Sequence, residues 1–215
     1  MIAHLYLRAA AVALAVVAVL GSPAWAGAPA DALRDHIDRI FALLDDPALK
    51  GADHVASQHR ALRALTVKAV DFQEAARRSL GLHWDARTPD ERAYFVQLFT
   101  DLIDHAYLTR LAHDGERLAY DDETTTGNDA VVPARALAKN GDATPVVFSL
   151  LQSADGQWRI YDVSFEGMSL VGNYRAQFNK IIRATSFDEL MTRLEAKTHP
   201  EAQASTADPS KPNAP

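Results

Sequence analysis

No cysteine occurs among the 215 residues, so thiol nucleophiles, disulfide frameworks and Cys-ligated zinc are excluded together. Basic charge is scarce as well: 22 Lys plus Arg face 28 Asp plus Glu, a net charge of −6. That balance lacks the cationic footprint that counterion release from nucleic acid requires. Glycine-rich phosphate loops of either common type are missing, and so are the HExxH and HxH spacings of zinc sites. No apolar run is long enough to span a bilayer. The longest, Ala9 to Leu20, holds twelve residues, about 18 Å as a helix against the ~30 Å hydrocarbon core. What is there is ordinary globular composition, 48% hydrophobic and 23% charged. The length suits one domain, or two, with a substantial core.

The apolar run is an address. Arg8 supplies a positive n-region, Gly21-Ser22-Pro23 breaks the helix, and Ala24-Trp25-Ala26 fits the small-x-small rule of signal peptidase. This pattern predicts a cleaved signal peptide over residues 1–26 and an exported, soluble chain beginning at Gly27, a retained anchor being the alternative. No Cys follows the run, which excludes a lipoprotein anchor. Loss of Arg8 leaves 21 basic against 28 acidic residues, a net charge of −7.

Beyond residue 26 the periodicity is helical, then extended, then helical again. Leu33, Ile37, Ile40, Phe41 and Leu44 mark an amphipathic helix ending near Asp46-Pro47. A second runs from about Asp53 with Val55, Leu62, Leu65 and Ala69 as its stripe. Asp71 and Glu74 form a capping-box pattern for a short helix that Gly81 stops. Thr88-Pro89-Asp90-Glu91 opens a longer helix carrying Phe95, Leu98, Phe99, Leu102, Ala106 and Tyr107, ending near Asp114-Gly115.

Four strands are expected, over Arg117–Thr125, Ala130–Ala138, Thr144–Gln152 and Gln157–Glu166. Gly127-Asn128-Asp129, Asn140-Gly141-Asp142 and Asp155-Gly156 separate them, each with residues that tolerate positive φ, so the pattern is an antiparallel meander. Val146, Val147, Phe148, Leu150 and Leu151 are apolar at both parities, which predicts a strand covered on both faces. Leu170, Tyr174, Phe178 and Ile181 resume the helical period, and Ser186 caps a last helix with Leu190 and Leu194. Residues 199–215 hold four prolines and no large apolar residue and are read as a disordered tail. The fold class is α+β: an antiparallel sheet of about four strands, covered by an N-terminal helical bundle and C-terminal helices.

A search for chemistry returns little. Asp101 and His105 stand one helical turn apart, yet no motif places a nucleophile near them. His105 and His113 are too far apart in the helix to share a metal, and His54 and His59 point about 140° apart. Ser169, in Gly167-Met168-Ser169-Leu170, lacks the second glycine of a nucleophile elbow. Asp121-Asp122-Glu123 suggests Ca²⁺ by composition, but strand alternation splits it between two faces and favours a solvated run. The spacings describe a binder more than an enzyme.

The remaining motifs resemble one family. Asp71-Phe72, Ala76-Arg77, Leu80-Gly81 and Trp84 are followed by Thr88-Pro89-Asp90-Glu91-Arg92 with Phe95 and Phe99. Trp158-Arg159-Ile160-Tyr161-Asp162-Val163 continues the match, which is sharpest over Glu166-Gly167-Met168-Ser169-Leu170-Val171-Gly172-Asn173-Tyr174-Arg175-Ala176-Gln177-Phe178. Together, from about Val70 to Leu194, they resemble the periplasmic MlaC family, also called toluene-tolerance or ABC-transporter auxiliary proteins. Ala75 stands where the family usually has Met, and Met168 where it usually has Val, both keeping apolar character.

The resemblance implies a non-enzymatic periplasmic carrier with no cofactor and a glycerophospholipid as cargo. Its implied partners are an outer-membrane lipoprotein–porin complex and an inner-membrane ABC transporter with an MCE-domain subunit. It further implies an apolar cavity for acyl chains. The expected lining is Phe95, Phe99, Leu102 and Tyr107 from the long helix, with Tyr174 and Phe178 from the helix after the sheet. Phe148, Leu150, Val163 and Phe165 join them from the strands, and Met168, Leu170 and Val171 form a mouth or hinge. Arg175 and Asp162 could pair within the fold, a lipid-headgroup role for Arg175 being the alternative. The alternatives are a pocketed isomerase or hydrolase using Asp101 or Asp104 as base, and an envelope adaptor that binds only protein.

Overall fold

The computed structural model describes residues 28–108, 117–138 and 140–198; the predicted signal peptide and the C-terminal tail lie outside them. Helix α1 (Pro29–Asp45) opens on a proline, whose missing N–H is one that a helix start leaves unbonded. The next residue, Ala30, donates its N–H to Glu123 Oε2 at 2.5 Å, across 93 residues of chain. That carboxylate satisfies an orphan donor and opposes the positive end of the helix dipole. Two of the three residues of the acidic run thus have structural work, because Asp121 also pairs with Arg135 at 2.9 Å.

Helix α2 (Val55–Ala69) buries only Leu62 and Ala69, and Val55 is exposed, so its apolar stripe is narrower than the sequence suggests. Helix α3 (Phe72–Leu80) forms half of the expected capping box. Asp71 accepts from Glu74 N at 2.9 Å, but Glu74 turns to Arg77 and Arg78, and Asp71 N donates to Ile160 O instead. Gly81, with φ +57°, stops the helix. Helix α4 (Pro89–Ile103) has the complete box: Thr88 N donates to Glu91 Oε2 at 2.7 Å and Glu91 N to Thr88 Oγ1 at 3.2 Å. It ends earlier than its apolar repeat, because Asp104–Leu108 forms a wider π-helical turn that shifts the register of Ala106 and Tyr107. The expected end at Asp114-Gly115 is outside the described residues.

The sheet is antiparallel, in the order β1-β3-β4-β5-β6, from β1 (Arg117–Tyr120), β3 (Asp129–Leu137), β4 (Ala143–Gln152), β5 (Trp158–Phe165) and β6 (Met168–Ser169). A short β2 (Thr124–Thr126) shares with β1 one edge of β3. The expected first strand is therefore two pieces. Pro133 of β3 sits opposite the break, where it accepts from Asp121 N but has no N–H to return, so the ladder is interrupted there. A bulge between Ser149 and Leu150 shifts the register of β4 on β5. The turn into β6 uses Glu166 and Gly167 at φ 50° and 80°, the positive pair that a tight hairpin requires.

Helices α5 (Leu170–Ala184) and α6 (Phe187–Thr198) follow. Ser169 caps α5 by accepting from Gly172 N at 2.8 Å, and Ser186 caps α6 by accepting from Glu189 N at 3.1 Å. The helical layer is tied to the edge of β5 that the short β6 leaves uncovered, where Val70 bridges Ile160 and Asp162 accepts from Val171 N at 2.9 Å.

One expectation about the sheet is corrected. Val146, Phe148 and Leu150 of β4 are buried, but Val147, Ser149 and Leu151 between them are only half-buried. The strand has one core face, and its second apolar parity meets partial cover.

Candidate functional site

The buried apolar side chains divide into two clusters. The first belongs to α3, α4, α5 and α6 and contains Phe95, Leu98, Phe99, Leu102, Tyr174 and Phe178. The second lies between α1 and the sheet and contains Leu33, Val132, Val146, Phe148, Leu150 and Ile160. A domain of this size ordinarily closes over one core. Here strand β5 and its connections to α3 and α5 stand where the two meet.

The thirteen residues expected to line a cavity fall on both sides of this division. Phe95, Phe99, Tyr174 and Phe178 pack as a ring cluster, with centroid separations of 5.4–6.1 Å and mostly edge-on contacts. Leu102 and Val171 are buried beside them, and Tyr107 and Leu170 are half-buried against them. Burial pushes the Tyr174 phenol well above its ordinary value, and its contact with Tyr107 acts in the same direction. Phe148 and Leu150 are buried in the sheet-side cluster, with Val163 half-buried against it. Phe165 and Met168, paired across the β5–β6 hairpin, stand out at 47% and 67% exposure.

The charged residues make pairs that helical spacing alone does not show. Asp101 does not orient His105 with its carboxylate: His105 Nδ1 meets the Asp101 backbone carbonyl at 2.9 Å. The carboxylate accepts instead from Arg63 Nη2 at 2.6 Å, while Arg63 Nη1 reaches Asp104 Oδ2 at 2.7 Å. Asp104 is 3% exposed and has His59 Nε2 at 3.4 Å on its other oxygen. The hydrogen bond to Asp101 is the main reason that the Arg63 pKa is raised. A carboxylate locked to guanidinium is a poor general base. The arrangement does something else: it clamps α2 to the π turn after α4, above a small hollow lined by Thr66, Val67, Phe72, Thr100 and Ile103.

Asp162 does not pair with Arg175. It accepts from Ser169 Oγ and from Val171 N, at 2.5 and 2.9 Å, and so fixes the start of α5 to β5. Sequence reasoning missed Arg63, which lies on a helix with a weak stripe and whose partners are 38 and 41 residues away. It also missed Tyr120 on β1. Burial raises the Tyr120 phenol to about 12, with Asp38 acting the same way, and its hydroxyl has no hydrogen-bond partner among the described residues.

The chain is similar to proteins already known. The family model described as "MlaC protein" matches residues 34–196. A similar curated protein is the intermembrane phospholipid transport system binding protein MlaC of Haemophilus influenzae, 21% identical over 131 residues. The match covers 59% of this chain and 61% of that protein, so the chain spans about three fifths of its relative's length. Among solved structures, a phospholipid-binding protein from Ralstonia solanacearum, in complex with a phospholipid, is similar with a TM-score of 0.71 at 22% identity. The likeness covers 83% of this chain and 99% of that one, and at such identity it is a likeness of fold.

Proposed function

We propose that this chain, which belongs to the MlaC family, binds a glycerophospholipid and carries it through the periplasm. In this reading the signal peptide over residues 1–26 exports the chain, the cargo is not a cofactor, and no reaction is catalysed. The lipid passes between an outer-membrane lipoprotein–porin complex and an inner-membrane ABC transporter with an MCE-domain subunit, which maintains outer-membrane lipid asymmetry. The family match over residues 34–196 carries the reading. The phospholipid in a relative of the same fold supports it.

The physical demand on such a carrier is severe. Two acyl chains hold roughly 28 methylenes, whose exposure to water costs on the order of 20 kcal/mol at about 0.8 kcal/mol each. The cavity must be nearly as dry as the bilayer, yet bind no more tightly, or the cargo would never leave. The divided interior suggests where the chains go: between the clusters, with Tyr107, Leu170 and Val171 on the helical wall and Phe148 and Val163 on the sheet wall. Phe165 and Met168 sit at the rim. The ring cluster of Phe95, Phe99, Tyr174 and Phe178, with Leu102, backs the helical wall, and Leu150 backs the sheet wall.

Val163 tests this placement because it is half-buried and touches the sheet cluster from its margin. Val163→Arg places a charge where the chains would lie, and hydration of that charge excludes them. The variant should fold, as judged by circular dichroism, and release no phospholipid on organic extraction, whereas wild-type protein releases it. A folded variant carrying the wild-type load would refute the placement.

A further inference from the structure

The outward side of α5 carries cations and no carboxylate. Its sequence, LVGNYRAQFNKIIRA, has three basic residues and no acidic one, in a protein of net charge −6. Arg175, Lys180 and Arg183 are all exposed. None of them enters an ion pair among the described residues, and neither do Arg60, Lys68, Arg92, Arg117 and Lys197. Of these cations only the three on α5 share a helix that both lacks a carboxylate and packs against the turn bearing the exposed Leu82. Positions 175, 179 and 183 are four apart and form one stripe, and Lys180 lies on the outward side beside it, about 60° round the helix from Arg183 and about 140° from Arg175.

Against that stripe the turn Gly81–His83 is fixed at two points. His83 Nε2 lies 3.0 Å from Asn179 Oδ1. The Arg175 stem packs so closely under Gly81 that a Cβ there would come within 3.1 Å of it, and the positive φ of Gly81 already excludes one. Between these two fixed points Leu82 projects into solvent at 97% exposure, the most exposed large apolar side chain described. Asp85 is the acidic residue nearest the turn in sequence, and its charge acts on Arg77.

We propose that this face is a docking surface for an anionic lipid bilayer, with Leu82 entering the headgroup layer and Arg175, Lys180 and Arg183 meeting lipid phosphates. Charge sign selects an anionic occupant, since the remaining surface of an acidic protein is repelled by one. The sparseness of apolar area selects a bilayer over a protein. A protein interface needs an apolar centre of aromatic or aliphatic anchors, and around Leu82 the stripe offers Asn179, Ala176 and cations. A bilayer surface needs only an apolar insertion and basic residues about it. The inference stands apart from cargo binding, so the two can fail separately.

Flotation of the mature protein with vesicles of mixed phosphatidylethanolamine and phosphatidylglycerol, and with vesicles of phosphatidylcholine alone, tests it. Wild-type protein should float with the anionic vesicles at low salt, and neither with them at high salt nor with phosphatidylcholine. K180E/R183E should weaken binding by about tenfold or more, and Leu82→Ser should weaken it severalfold. The matched charge change on α6, R193E/K197E, should have little effect, and all variants should keep wild-type circular dichroism and phospholipid content. Absence of wild-type binding to anionic vesicles, or an equal loss in R193E/K197E, overturns the proposal. Loss of cargo in K180E/R183E would move these cations to the cargo site and overturn it as well.

Discussion

At Phe178 one substitution tells a core position from a lipid contact. It is 3% exposed and touches Phe95, Phe99 and Tyr174 at centroid distances of 5.4–6.1 Å. Phe178→Ala should therefore cost about 3–5 kcal/mol, read as a fall in the thermal midpoint, while phospholipid remains bound below that midpoint. If stability is unchanged and lipid is lost, Phe178 lines the cavity rather than backs it. Arg63 is a second such case. Removing it leaves Asp104, 3% exposed, without its cation, and Arg63→Met should destabilise by about 3 kcal/mol. That figure is the low end for a buried pair, because the arginine side chain is 41% exposed. Denaturant titration checks it, and a change under 1 kcal/mol would mean that water replaces the clamp.

At the scale of elements, α3 shows how local charge holds a helix against the sheet. Glu74 accepts from Arg77 Nε at 2.6 Å and Arg78 Nε at 2.6 Å, and the Arg78 guanidinium lies 3.8 Å from the ring centre of Tyr161 on β5. Burial alone would raise the Glu74 carboxyl, but the two arginine hydrogen bonds outweigh it and hold the group below its ordinary 4.5. A depressed carboxyl stabilises the fold above its unfolded value and loses that contribution as pH falls through the folded one. Glu74→Gln should thus melt lower than wild type at neutral pH, and the gap should close as the pH falls below the ordinary carboxyl value. A gap that persists in acid would mean the arginines stabilise through packing alone. Helix starts were legible because capping chemistry is local: Thr88 with Glu91 and Ser186 with Glu189 lie three residues apart. The cap of α1 was not, because Glu123 comes from 93 residues away. The break between β1 and β2 was written in Pro133, but only knowledge of the pairing register makes that proline relevant.

The whole molecule is two apolar clusters hinged on one strand, and this division was not legible. Apolar periodicity says which side chains are buried, and here it nominated the correct ones in Phe95, Phe99, Phe148 and Phe178. It cannot say which buried faces meet, since that depends on how β5 and α5 are tied through Asp162 and Ser169. The residues expected to line one cavity from helices and strands lie in two cores and at an exposed hairpin. On the proposed reading a carrier gains from such a plan, since a lipid lying between two separate cores leaves without unfolding either. The central claim is that one phospholipid binds between the clusters, and native mass spectrometry of the mature protein, purified without detergent, tests it most directly. The account predicts a species heavier than the bare chain by one phospholipid, which Val163→Arg replaces with the bare chain. Wild-type protein seen only at the bare mass, both as purified and after incubation with phospholipid vesicles, would contradict it.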